Sequence, residues 1–127
     1  MEAWKTKIRC YVSPAGNNKI ADWYVDLLVQ EKADADEVLK DMRRTSDWQM
    51  PQYRSRLTNY RDLGELRWTS QKKQHRLVGF FRKGYWYAVI GCTHKQQRYD
   101  PPDALETARK RKGQIERNEV VTVDYDL

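Results

Sequence analysis

Residues 7–13, "KIRCYVS", alternate and are rich in β-branched and aromatic side chains, which predicts a first strand. Pro14 and the following "AGNN" predict a turn. From there the apolar period changes. Ile20, Trp23, Tyr24, Leu27 and Leu28 recur at the spacing of one helical face. A second helix is expected after Asp34, which would cap it with Glu37 three residues on. Its apolar stripe would be Ala35, Val38, Leu39 and Met42. So short a connection predicts an antiparallel helical hairpin. Residues 43–62 show no clear period, and Pro51 breaks any long helix there.

Three strands are then predicted. In "GELRWTS", residues 64–70, Leu66 and Trp68 alternate with Glu65, Arg67 and Thr69. "HRLVGFF", residues 75–81, and "YWYAVIGC", residues 85–92, are apolar on both faces, as central strands are. Their close spacing, with Lys83-Gly84 as a turn, predicts an antiparallel meander. A last helix has a defined start: Asp100 as cap, Pro101 at its first position and Asp103 near the positive end of its dipole. Leu105, Ala108 and Ile115 would pack inward, and Trp23, Trp68, Phe80, Phe81 and Trp86 are read as core. The closing "VVTVDYDL" has strand composition and an acidic end, so it pairs on a sheet edge or hangs free. Residues 1–118 thus read as one α+β domain of order β-α-α-β-β-β-α, and 119–127 as a tail.

At 127 residues the chain is long enough for one domain of ordinary size. No apolar run reaches the ~20 residues of a membrane helix, and "MEAWKTKIRC" lacks the apolar centre of a secretion signal. Cys10 and Cys92 fall in strand patterns and read as buried, reduced thiols. A cytoplasmic location is the expectation. The net charge of +6 is uneven: residues 1–50 carry 8 basic and 9 acidic side chains, residues 51–118 carry 16 and 6. A basic middle suggests an anionic partner, nucleic acid first.

The chemistry concentrates where the third meander strand stops. His94 exchanges protons near neutrality. Lys95 and Arg98 suit phosphate oxygens, and Tyr99 suits base stacking or a hydrogen bond. Neighbouring strands bring Arg67 and the pair His75-Arg76. Such a set fits RNA cleavage without metal or cofactor: a base frees the ribose 2′-hydroxyl, cations stabilise the phosphoryl charge, and an acid protonates the leaving oxygen. Arg109, Lys110, Arg111 and Lys112 form a second basic group, either an RNA-binding surface or a solvated helix face. There is no Gly-rich phosphate loop, no nucleophile elbow and no zinc-ligand spacing.

"LGELRW" followed by "HRLVGFFRKGYWYAVIGCTHKQQRYDPPDALETARKRK" resembles the RelE/ParE toxin superfamily, and within it the phage-derived HigB-type branch. The resemblance covers about residues 60–118. It implies a small fold with a twisted antiparallel sheet and flanking helices. It implies a type II toxin that cleaves mRNA on the ribosome and is neutralised by a helix-turn-helix antitoxin. By matching position, Arg67 and Arg76 would hold phosphate, and His94 and Lys95 would share proton transfer and charge stabilisation. Arg98 and Tyr99 are added from their chemistry. Many relatives have two Lys in succession where this chain has Lys95-Gln96. Two other readings stand beside this one: a DNA gyrase inhibitor of the ParE kind, and a non-enzymatic nucleic-acid binder acting through residues 109–112.

Overall fold

The computed structural model describes residues 4–126. Met1, Glu2 and Ala3 of the expected domain and Leu127 of the tail lie outside the described residues. Strand β1 (Lys7–Tyr11) leads into α1 (Lys19–Val25) and α2 (Val29–Arg43). Then come β2 (Tyr53–Arg54), β3 (Gly64–Ser70), β4 (Lys73–Arg82), β5 (Tyr85–Lys95) and β6 (Arg98–Asp100). Helix α3 (Ala104–Glu116) and β7 (Thr122–Asp124) close the chain.

All seven strands join one sheet, in the order β2-β3-β4-β5-β1-β7, with β6 paired to the far half of β5. This corrects the expected small RelE-like sheet of order β-α-α-β-β-β-α. The fold is α+β, but the sheet is larger, dominates the molecule and is mixed, because β1 runs parallel to β5. Three of its strands, β2, β6 and β7, have only two or three residues. Segments that short carry no readable alternation, and only partners distant in sequence make them strands.

The sheet is covered on both faces, which explains the apolar runs of β4 and β5. On one face Ile20 of α1 and Leu39 and Met42 of α2 pack with Ile8, Cys10, Leu66, Leu77, Trp86 and Ala88. On the other, Ala104, Ala108 and Ile115 of α3 pack with Val78, Phe80, Val89 and Cys92. Phe81, read as core, is 50% exposed instead, at the far end of β4 beside the Trp48 ring. Cys10 and Cys92 are both buried free thiols, and burial raises each to about 12.

Both helix starts predicted in the middle and late chain are displaced. Helix α2 begins at Val29, ahead of Asp34, and Glu31 caps it by accepting from the Leu28 backbone N–H at 2.8 Å. Asp34 sits inside the helix and accepts from Ser70 Oγ at 2.5 Å. Asp100 belongs to β6, and α3 starts four residues later with Asp103 as its flanking residue. Helix α1 starts where its cap dictates, since Asn18 Oδ1 accepts from the N–H groups of Ile20 and Ala21 at 3.0 Å each.

Helix α1 lies so close to the sheet that a Cβ on Gly91 would run into the Trp23 ring. Gly91→Ala should therefore destabilise the fold by about 1–3 kcal/mol through overpacking. Equilibrium denaturation in urea measures this, and an unchanged midpoint would show that α1 is free to shift.

Candidate active site

Side chains two apart on a strand share a face, and directly paired residues on neighbouring strands share it too. Arg67 on β3 pairs with Arg76 on β4. Arg76 pairs with Cys92 on β5, and Gln74 with His94. His94 pairs with Tyr99 on β6. Glu65, Arg67, Arg76, His94 and Tyr99 therefore gather on the face that α3 partly covers, beyond the end of that helix's apolar contacts.

Glu65 is the junction of this group. It is only 2% exposed. Its Oε1 accepts from Tyr99 Oη at 2.6 Å. Its Oε2 lies 3.3 Å from Arg67 Nε and 3.4 Å from Arg76 Nε. The Arg76 contact has ion-pair distance without hydrogen-bond alignment. Arg76 is locked in place: its Nη1 donates to the His75 carbonyl at 2.9 Å and its Nη2 to Gln74 Oε1 at 3.0 Å. Arg67 is more open, because β2 pairs only with Glu65 and Leu66 and ends before it. The His94 and Tyr99 rings meet edge to face, 4.8 Å between centroids.

Two cations beside one buried carboxylate leave the cluster with a net positive charge, which biases its titration. Burial, then Arg76 and Arg67, push the His94 imidazole below its ordinary value of 6.5, while Glu65 opposes them. Burial, and then the hydrogen bond to Glu65, hold the Tyr99 hydroxyl well above the usual tyrosine range, so it keeps its proton. Burial lowers Arg76, against the pull of Glu65. Beside these groups opens a cavity of about 370 Å³ lined by Arg54, Leu57, Thr58, His94, Gln97, Tyr99 and Leu105.

The other residues singled out in the sequence lie elsewhere. Lys95 and Arg98 pair with each other across β5 and β6 and, by alternation, stand on the opposite face from His94. His75 also faces that way. It is buried, stacks on Trp68 and lies 3.0 Å from Glu31. The basic run of α3 is largely engaged within the protein. Arg109 and Lys112 both pair with Asp62, Lys112 also with Glu116, and Arg111 donates to the Val89 carbonyl over the Tyr11 ring. Of the four, Lys110 alone has no ion pair or hydrogen bond among the described residues.

Glu65 is not among the site residues that the sequence suggests, although it lies two positions from Arg67. The two-residue spacing of "ELR" does place both on one face, but its double pairing depends on β4 and β6. Among the described residues no group of three or more His, Cys, Asp or Glu side chains is arranged to hold a metal ion, and no helix is long and apolar enough to cross a membrane. Comparison of the chain with protein-family models, with curated proteins and with solved structures found no match.

Proposed function

We propose that this protein is an endoribonuclease that cleaves RNA by attack of the ribose 2′-hydroxyl on the adjacent phosphorus, with Arg67, Arg76, His94, Tyr99 and Glu65 as its working groups. The observation that carries the reading is the gathering of these side chains from β3, β4, β5 and β6 on one face of the sheet around Glu65. His94 and Tyr99 line the neighbouring cavity, while Arg67 lines a separate one with Met50, Gln52 and Trp68.

The roles follow from state and exposure. His94, lowered by burial and by the arginines, is neutral at pH 7 and takes the 2′-hydroxyl proton. The new 2′-O–P bond forms as the P–O5′ bond breaks. Arg67, its side chain 26% exposed, meets the phosphoryl oxygens directly. Arg76, tied by Gln74 and the His75 carbonyl, contributes fixed positive charge where the transition state gains negative charge. The leaving 5′-oxygen collects the proton that His94 has taken, from its imidazolium, while the Tyr99 hydroxyl stays protonated on Glu65. Glu65 positions Tyr99 and both arginines. The neighbouring cavity has room for one nucleobase. The motif resemblance supports the setting proposed for this chemistry: mRNA on the ribosome, in a growth-arresting toxin silenced by a helix-turn-helix antitoxin.

The test is a cleavage assay over pH, with products mapped by primer extension, on free RNA and on translating ribosomes. The rate should rise with pH along an acid limb whose midpoint lies below 6.5, because the base form of His94 accumulates as pH passes its lowered value. Intact RNA on both substrates defeats the reading. A midpoint above 6.5 removes His94 as the base.

A further inference from the structure

We propose that the two hairpin tips at one end of the sheet form a docking rim for the phosphate backbone of RNA, a proposal that rests on the RNA-cleaving reading of the adjacent site. The tips are the turn Gln71-Lys72 with Lys73-Gln74 at the start of β4, and the turn Gln96-Gln97 with Lys95 at the end of β5 and Arg98 at the start of β6. Gln74 pairs with His94, so the two hairpins stand side by side at the end where the catalytic group lies. Four adjacent strands there, β3-β4-β5-β6, give the rim a breadth of roughly 14 Å, three inter-strand spacings of ~4.8 Å.

Charge is the first argument. All eight tip residues are exposed, and none is acidic. Lys73 reaches Glu31 at 3.7 Å. Lys72, Lys95 and Arg98 have no ion pair among the described residues. They contrast with the α3 cations, whose charges are mostly met inside the protein. The unmatched positive charge of this end of the sheet therefore sits on the tips.

Backbone conformation is the second, independent argument. Both tips are two-residue turns with every central residue left-handed: Gln71 at φ 52°, Lys72 at 65°, Gln96 at 52° and Gln97 at 63°. Such turns favour Asn-Gly or Asp-Gly, and a long side chain there is strained. The hairpin at the other end of the sheet relieves this at one of its two positions, with Gly84 at φ 83° after Lys83 at 53°. At the catalytic end no Gly or Asn occurs in either turn. Strain kept where a common substitution would remove it points to side chains retained for a contact. Long amide and ammonium groups projecting from a rigid edge suit phosphate and ribose oxygens.

The experiment measures fluorescence anisotropy of a labelled 20-nucleotide RNA, fully 2′-O-methylated to prevent cleavage, over a salt series. The proteins are the parent chain and the triple variant Lys72→Gln/Lys95→Gln/Arg98→Gln. Loss of three phosphate contacts should reduce the slope of log K against log salt by about 2, at ~0.7 per contact for a single strand, and weaken low-salt binding at least tenfold. Thermal unfolding should be unaltered, since the side chains are exposed and unpaired. A second variant, Lys72→Gly, should melt at a higher temperature while binding RNA more weakly. An unchanged salt slope in the triple variant overturns the proposal, as does equal affinity of the parent for polyglutamate of the same charge. The two readings separate cleanly. Tip-dependent binding without any cleavage of unmodified RNA keeps the rim and removes the nuclease. Cleavage with tip-independent binding does the reverse.

Discussion

Replacing Glu65 by Ala should cost about 3–5 kcal/mol of folding stability, the range for removing one partner from a buried ion pair. The carboxylate is 2% exposed and serves three groups at once. Without it, buried Arg76 keeps its charge with no anion beside it, and the Tyr99 hydroxyl loses its acceptor. Arg67 suffers least, because it lies at the open margin of the sheet and can turn to water. Glu65→Gln keeps an oxygen for Tyr99 and should cost less than Glu65→Ala. Denaturation in guanidinium chloride, read by tryptophan fluorescence, gives both values. A loss below about 1 kcal/mol for Glu65→Ala, outside the range above, would mean that the two arginines are not held by this residue.

His94→Ala should slow RNA cleavage by ~10²–10⁴, the usual worth of general acid–base help. Arg67→Ala should slow it by ~10²–10³, as loss of one charge-stabilising donor does. The double variant should fall by less than the product of the two, because groups that act in one transition state are not additive. Neither change removes a core side chain, so circular dichroism and melting should resemble the parent. Both should relieve growth arrest on expression in a bacterial host. Full cleavage by His94→Ala would transfer the proton chemistry to another residue, with Tyr99 the nearest in the cluster. Arrest of growth with whole transcripts would remove cleavage as its cause.

The strongest periods in the chain were legible without coordinates. "GELRWTS" alternates because one face of β3 packs against α2 and the other carries Glu65 and Arg67 into the charged cluster. The runs of β4 and β5 are continuous because helices cover both faces. Helix α1 is announced by its apolar stripe, although Leu27 and Leu28 lie past its end at Val25; its Asn18 cap shows only in the structure. Failures cluster where a competing local signal was available. Asp34 and Glu37 imitate a helix start inside α2, whose true start uses Leu28 and Glu31. Asp100-Pro101 imitates another, four residues ahead of α3. Phe81 continues an apolar run past the edge of the helices that would bury it.

Alternation also placed Arg67, Arg76 and His94 at ends of neighbouring strands, and a two-residue period suffices to put side chains on a common face. It could not separate His94 from Lys95, because which of two consecutive residues faces α3 depends on pairing register with β4. It could not place Tyr99, since β6 exists only by pairing with β5. The hub role of Glu65 is likewise a product of three strands meeting.

Sequence alone determined the long strands of the meander, the existence of two early helices and a late one, and the basic middle, because each is written in neighbouring residues, the strands and helices at a period of two or about three and a half. Tertiary structure decided the parallel placement of β1, the three short strands, the pairing of α3's cations, and the face on which each charged side chain stands. Those outcomes depend on hydrogen bonds and ion pairs between segments tens of residues apart, which no local pattern specifies.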